Sequence, residues 1–147
     1  MLLLLFETSD GRYALDSRHV VEIIPLLLPK KIPGAPEYVS GIINYRGQAV
    51  PVFDLCVLAG GAPCRLYYSS RTILVRYPLA DGQHRLIGLT AEQVTDVVTC
   101  RESAMRSSGI LLERAGGGSG LESGQEEIVQ MFNLERMIPA DIVRGLF

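Results

Sequence analysis

The residues of this 147-residue sequence whose types could carry out catalysis do not stand in a spacing typical of an active site. The two histidines, His19 and His84, have no acidic or cysteine partner at the spacing of a catalytic motif. No serine lies in a nucleophile elbow, and neither an HExxH motif nor an EF-hand loop is present. We therefore predict that the protein is not an enzyme. A site assembled only in the fold stays open as an alternative.

The cysteines and the glycine-rich tract also point away from bound ligands. Cys56, Cys64 and Cys100 are odd in number and lack the paired short spacing of a zinc site, so we predict free thiols and no metal. Residues 116–124 are rich in glycine but lack the Gly-Lys-Ser/Thr ending of a phosphate-binding loop. We predict a mobile loop there and no cofactor.

Two charged side chains occupy more informative positions. Asp54 precedes a short apolar stretch that ends near Gly60, which predicts a helix cap. Arg46 lies in the turn Tyr45-Arg46-Gly47-Gln48, and its guanidinium could hold a carboxylate with two parallel hydrogen bonds. Arg46 is thus either a solvated turn residue or a contact for a partner protein.

The elements that must position Arg46 are short strands. Runs of β-branched and apolar residues bounded by turn residues predict strands at 41–44 and 49–53, on either side of the turn. The same pattern predicts strands at 2–8, 12–15, 21–24, 71–77, 85–89, 95–100 and 126–132. Short helical pieces are predicted at 17–20, 54–60 and 133–138. Without a βαβ unit or a long amphipathic helix, the pattern predicts an all-β fold of small barrels.

Charge and hydropathy restrict the partners. A net charge of −2 and a pI near 5.7 argue against binding to nucleic acid. The apolar run at residues 1–6 has no positively charged region before it and meets Glu7 at once, so it does not resemble a signal peptide. No apolar stretch approaches the roughly 20 residues of a membrane span. We expect a cytoplasmic protein without direct membrane insertion.

Three linked motifs carry a resemblance to a known family. They are Pro33-x-Ala35-Pro36, Gly41-x-Ile43-Asn44-x-Arg46-Gly47 and Pro51-Val52-x-Asp54-Leu55. Together they resemble the signature of CheW-like chemotaxis adaptor domains, with Tyr45 where the family commonly has Leu. Ala91 and Glu92 stand where the family usually has Val and Asp. The resemblance implies a single domain over 1–147, built from two small SH3-like five-stranded β-barrel lobes packed together. It places the signature in the first lobe and residues 71–77 in the second.

The resemblance also implies a function. CheW-like proteins are non-catalytic adaptors that couple the cytoplasmic tip of a methyl-accepting chemoreceptor to the regulatory domain of a CheA-type histidine kinase. Receptor helices would lie in an apolar groove between the lobes. The predicted partner-binding residues are Val39, Ile42, Asn44, Tyr45, Arg46 and Gly47, with Ala91 and Val94 from the second lobe. Ordinary core packing is the alternative for Val39, Ile42 and Val94.

Alternatives within the family concern the pathway and the sign of the effect. The protein could serve a non-flagellar chemosensory pathway, such as one that controls type IV pili or cyclic-di-GMP. It could also be an inhibitory competitor of other adaptors, given the departures at Tyr45, Ala91 and Glu92.

Overall fold

A computed structural model describes residues 2–8, 11–99, 110–114 and 126–145. Its strands are β1 (Leu2–Thr8), β2 (Gly11–Asp16), β3 (Val20–Pro25), β4 (Val39–Tyr45), β5 (Gln48–Asp54), β6 (Arg71–Pro78), β7 (His84–Ala91), β8 (Gln93–Thr99), β9 (Ile110–Arg114) and β10 (Glu126–Met131). The helical pieces are a single 3₁₀ turn at Ser17–His19 and the helices α1 (Leu55–Leu58), α2 (Leu134–Met137) and α3 (Ala140–Gly145). The predicted all-β class with short helices is confirmed.

The strands form two five-stranded sheets, which we call lobe A and lobe B. Lobe A has the order β8-β1-β2-β10-β9, and lobe B has the order β3-β6-β7-β5-β4. Each sheet contains one parallel pair, β2 with β10 in lobe A and β5 with β7 in lobe B, while its other pairs are antiparallel. The two-lobed fold expected from the resemblance is confirmed.

The two sheets are built to one plan with a different chain order. Lobe B uses the consecutive strands β3 to β7, whereas lobe A uses β8, β9 and β10 followed by β1 and β2. Matching each strand by its place in the sheet shows that lobe A is a circular permutation of lobe B. The chain therefore leaves lobe A after β2 and returns to it at β8, which ties the two lobes together.

This topology corrects the predicted division into lobes. Residues 71–77 fall in β6, which pairs with β3 and β7 in the same sheet as the β4–β5 hairpin. Ala91 ends β7 and also belongs to lobe B, so of the two residues assigned to the second lobe, only Val94 in β8 lies in the other sheet. The prediction was wrong because the sheet that a strand joins depends on partners far along the chain.

The main core lies between the sheets and takes residues from both. In β1, Leu4 and Phe6 belong to this main cluster, while Leu3 and Leu5 belong to a smaller cluster of lobe A. Since successive side chains of a strand point to opposite faces, a strand buried on both faces reads as an unbroken apolar run. This accounts for the leucine run at the start of the sequence. A third cluster, around Val50 and Leu74, fills lobe B.

The sequence pattern missed two described elements. Neither β9 nor α3 was predicted, although Val143 of α3 is fully buried in the main cluster. Residues 9 and 10, the glycine-rich tract and Cys100 lie outside the described residues. Within the described ranges, no helix has the length and apolar character needed to cross a membrane.

Candidate protein-binding site at the β4–β5 turn

The β4–β5 hairpin ends in a two-residue turn that displays Arg46. Tyr45 pairs with Gln48, which leaves Arg46 and Gly47 as the loop, with φ angles of 50° and 81°. Two positive φ angles are typical of a type I′ turn, whose twist matches that of the strands. Asn44 stabilises the turn because its Oδ1 accepts a hydrogen bond from Gly47 N at 2.8 Å.

Arg46 is the one non-glycine residue with positive φ in the described part of the chain. A side chain in this left-handed region costs about 1–2 kcal/mol relative to the right-handed one. Asn, Asp or Gly would fit this position of the turn with less strain. The local geometry alone therefore does not account for an arginine here.

The side chains of Tyr45 and Glu22 contact Arg46. The Tyr45 hydroxyl donates to Glu22 Oε2, and this hydrogen bond raises the pKa of Tyr45 above its ordinary value. Arg46 Nη2 lies 3.6 Å from the same Glu22 oxygen, and its guanidinium carbon lies 5.1 Å from the Tyr45 ring centre, within cation–π range. Glu22 is in β3 and Tyr45 in β4, so this contact joins the two edge strands of lobe B.

Arg46 stays available to a partner, since its side chain is 76% exposed. An exposed ion pair at 3.6 Å contributes little to stability, so the guanidinium can exchange Glu22 for another carboxylate.

The backbone of β4 is not open for strand addition at Ile42. Lys30 N donates to Ile42 O at 2.9 Å, and Ile42 N donates to Lys30 O at 2.8 Å. Gly41 permits this approach: its φ is +144°, and a Cβ atom there would lie 2.2 Å from Lys30 O. A partner at this hairpin must therefore use side chains and the turn, because the strand edge is already paired at Ile42.

The Lys30 bridge also directs an exposed leucine toward the turn. Leu28, two residues before Lys30, is 80% exposed. Because the bridge is antiparallel, Leu28 runs toward the end of β4 that carries Asn44.

The predicted contact residues do not form one surface. Asn44, Tyr45, Arg46 and Gly47 lie at the turn, with Ile42 half-buried further along β4. Val39, Ala91 and Val94 lie at the opposite end of the hairpin, roughly 20 Å away along β5 at 3.3 Å per residue. Ala91 is fully buried, and Val39 and Val94 pack against the main cluster. Ala91 is thus part of the core and the half-buried Val39 and Val94 pack against it, while a contact role for these residues stays a prediction.

Asp54 has the capping role that the sequence predicted. Its carboxylate accepts hydrogen bonds from Cys56 N at 2.9 Å and Val57 N at 3.1 Å, at the start of α1. It also accepts from Cys64 N at 3.0 Å, which the sequence did not indicate. Asp54 thus fixes both a helix and the loop that follows it.

The structure joins Cys56 and Cys64 in a disulfide, with their Cα atoms 5.2 Å apart. The prediction of free thiols is therefore wrong for these two residues. The Asp54 carboxylate and the two sulfur atoms lie within 4.8 Å of one another. Because the sulfurs are bonded to each other and the carboxylate already accepts backbone hydrogen bonds, this group is not arranged as a metal site in the oxidised protein.

Comparison with known proteins identifies the family. The model of the CheW-like domain matches residues 2–141. The chain belongs to the CheW-like family. CheW-like domains are non-catalytic scaffolds and adaptors, which agrees with the prediction that this chain is not an enzyme.

Several curated proteins resemble this CheW-like chain over much of its length. The chemotaxis protein CheW of Bacillus subtilis is 26% identical over 106 residues, which cover 72% of this chain and 65% of the relative. CheW of Klebsiella aerogenes is 29% identical over 103 residues, 70% of this chain and 59% of the relative. Protein FrzA of Myxococcus xanthus is 24% identical over 144 residues, 90% of this chain and 82% of the relative. The alignments with the two CheW proteins thus span less than two-thirds of those relatives.

A solved structure matches the fold of the CheW-like chain. The crystal structure of the scaffolding protein TtCheW from Thermoanaerobacter tengcongensis aligns with a TM-score of 0.70 and 22% identity, over 95% of this chain and 93% of that one. The likeness confirms the two-lobed architecture that the resemblance implied.

Proposed function

We propose that this CheW-like chain is a non-catalytic adaptor that couples the cytoplasmic tip of a chemoreceptor to the regulatory domain of a CheA-type histidine kinase. The observation that carries the proposal is the CheW-like domain match over residues 2–141. The shared core of the two lobes supports treating the chain as one domain. The proposed partners place the protein in the cytoplasm, beside receptors but not inserted in the membrane.

The turn of lobe B is the proposed docking element. Arg46 supplies an exposed charge, Leu28 an exposed apolar side chain, and Asn44 and Gly47 hold the turn in shape. Tyr45 and Glu22 restrict the positions that the Arg46 guanidinium samples, which reduces the side-chain entropy lost on binding. A partner carboxylate is the expected counterpart of Arg46.

Substitution of Arg46 tests this proposal without disturbing the fold. Arg46→Glu replaces the guanidinium with a repelling carboxylate, while Arg46→Asn removes the charge and suits the type I′ turn better. We expect both variants to stay folded and to capture about tenfold less receptor or kinase in pull-downs from native extract, a loss of about 1.4 kcal/mol.

The matched control is Arg76→Glu, a charge reversal at an exposed arginine on β6 of the same lobe. It should bind as the unmodified protein does. Equal losses in the Arg46 and Arg76 variants would indicate a net-charge effect, and full binding by Arg46→Asn would exclude Arg46 as a contact.

A non-flagellar pathway is the second candidate. The alignment with FrzA covers more of both chains than the alignments with the CheW proteins of Bacillus subtilis and Klebsiella aerogenes. Control of type IV pili or of cyclic-di-GMP would use the same coupling role. Reconstitution with the receptors and kinases of the source organism discriminates between the pathways. A fall in kinase activity when this chain is added to an assembled receptor–kinase complex would identify an inhibitory competitor.

A further inference from the structure

The Cys56–Cys64 disulfide anchors a loop that has no regular secondary structure. Residues 64–70 run from the disulfide to the start of β6 without helix or strand. Besides the disulfide, Cys64 N donates to Asp54 Oδ2 at 3.0 Å, and Arg65 N donates to Glu92 Oε1 at 3.3 Å. Ser69 Oγ donates to the Glu92 carbonyl at 3.2 Å. The covalent bond is thus one of several attachments, which lie at both ends of the loop.

This loop presents a large apolar surface. Leu66 is 59% exposed, Tyr67 is 48% exposed and Tyr68 is fully exposed. Tyrosine and arginine are enriched where proteins bind one another, and Arg65 Nη1 donates to the Tyr67 hydroxyl within the same loop. We call residues 66–68 the aromatic loop surface. Its geometry depends on how firmly the segment is anchored at Cys64.

The surroundings of the two sulfur atoms suit the reduced state as well. Cys56 Sγ lies 3.4 Å from Glu92 Oε1, and Cys64 Sγ lies 3.4 Å from the Thr90 carbonyl oxygen. Each thiol would therefore find its own hydrogen-bond acceptor after reduction.

We propose that Cys56 and Cys64 form a reversible thiol–disulfide modification site that fixes or releases the aromatic loop surface. This inference does not rest on the proposed adaptor function. In the oxidised protein the loop is covalently joined to α1. In the reduced protein, hydrogen bonds and the packing of the buried residues Cys64 and Ser70 hold it without a covalent bond.

The oxidant is a low-molecular-weight disulfide, and the exchange balances. Cys64, the less buried of the two at 8% exposure, loses its proton and attacks one sulfur of the oxidant, which releases one small thiol and leaves a mixed disulfide. Cys56 then loses its proton and attacks the Cys64 sulfur, which forms the Cys56–Cys64 bond and releases the second thiol. Two electrons and two protons pass from the protein to the oxidant, and two small thiols reverse the steps.

Folded protein in glutathione buffers tests the proposal. A Cys100→Ser background removes the third thiol. The folded protein is equilibrated over a range of reduced-to-oxidised glutathione ratios. Its free thiols are then alkylated, and mass spectrometry of the protein gives the fraction in each redox state. Amide hydrogen exchange is measured for each peptide. We expect both redox states to interconvert, and amides of residues 64–70 to exchange about tenfold faster or more in the reduced state. Exchange in β1, β2 and β6 should not change.

The matched control is the double variant Cys56→Ser, Cys64→Ser. Its loop should exchange at the reduced rate at every glutathione ratio. The reduced unmodified pair gives the same measurement if the double variant does not fold. A disulfide that never forms in the folded protein, or that stays closed at every ratio, would overturn the reversible site. A change of redox state without faster exchange in residues 64–70 would overturn its link to the loop.

Discussion

At the scale of single residues, Gly41 and Arg46 show two different uses of positive φ. Gly41 has a φ of +144° and lies under Lys30 O, where any side chain would collide with backbone. Arg46 has a φ of 50° with its side chain directed to solvent, a conformation that L residues tolerate at moderate cost. The first position is thus closed to other residues for structural reasons, while the second admits several.

Substitution of Gly41 by alanine should therefore be costly. We expect Gly41→Ala to lower the free energy of unfolding by roughly 2–4 kcal/mol, because the Cβ atom must displace Lys30 from β4 or strain the strand. Urea unfolding measures the loss. The control is Gly11→Ala, where a Cβ atom meets nothing within 4 Å, and there we expect a change of about 0.5 kcal/mol or less. Similar stabilities for the two variants would show that the Lys30 bridge is not needed.

At the scale of elements, the two lobes repeat one strand-to-helix connection. Asp54 ends β5 and caps α1, and Asn133 comes shortly after β10 and caps α2. Strand β5 belongs to the parallel pair of lobe B, and β10 belongs to the parallel pair of lobe A. The two caps therefore occupy equivalent places in their lobes. The two caps differ in burial and in the number of backbone groups that they hold. Asn133 is exposed and accepts two backbone hydrogen bonds, whereas Asp54 is buried and also holds the loop at Cys64.

The two caps should differ in their contribution to stability. Asn133→Ala removes an exposed cap and should cost about 1 kcal/mol. Asp54→Ala leaves the backbone N–H groups of a buried site without an acceptor and should cost roughly 2–4 kcal/mol. Chemical denaturation of both variants measures the difference. Equal losses would mean that the hydrogen bond from Cys64 to Asp54 adds no stability.

At the scale of the whole molecule, the lobes are joined by a shared core and by the C-terminal segment. The Tyr77 hydroxyl, on β6 of lobe B, donates to the carbonyl oxygen of Ile138, just after α2, at 2.5 Å. Ile138 itself is fully buried in the main cluster. Burial raises the pKa of Tyr77 above its ordinary value near 10. The hydroxyl therefore stays protonated in the folded protein at a pH where it ionises in the unfolded chain.

This shift predicts a pH dependence with a definite sign. Because the pKa is raised on folding, the stabilisation by Tyr77 is complete below pH 10 and is lost as the pH rises through the higher, folded value. Tyr77→Phe should cost roughly 1–3 kcal/mol at pH 7, since the Ile138 carbonyl loses its donor. The difference between variant and unmodified protein should shrink as the pH rises above about 10. Urea unfolding at a series of pH values measures it, and a constant difference would contradict the assigned role.

How far the sequence predicted the site follows from the range of the interactions involved. The turn at Arg46 and Gly47 and the cap at Asp54 depend on residues within about four positions, and both were predicted. The support of Arg46 by Glu22 joins the turn to a distant strand, and the closeness of Gly41 to Lys30 depends on how a proline-rich loop folds back. Neither leaves a local signal. The burial of Ala91 leaves no local signal either, since it is set by the strands on both sides.

The sequence alone determined the strand-and-turn class, the helix caps and the family. Secondary-structure propensity, turn chemistry and sequence motifs depend on residues close together in the chain, so they are visible without the fold. Only the tertiary structure decided that lobe A is assembled from both ends of the chain and that Cys56 meets Cys64. It also decided that the predicted contacts separate into those at the turn and those in or against the main core. These features arise from strand pairing and packing between distant residues. Many pairings satisfy the same local pattern, and burial of the shared core selects one of them.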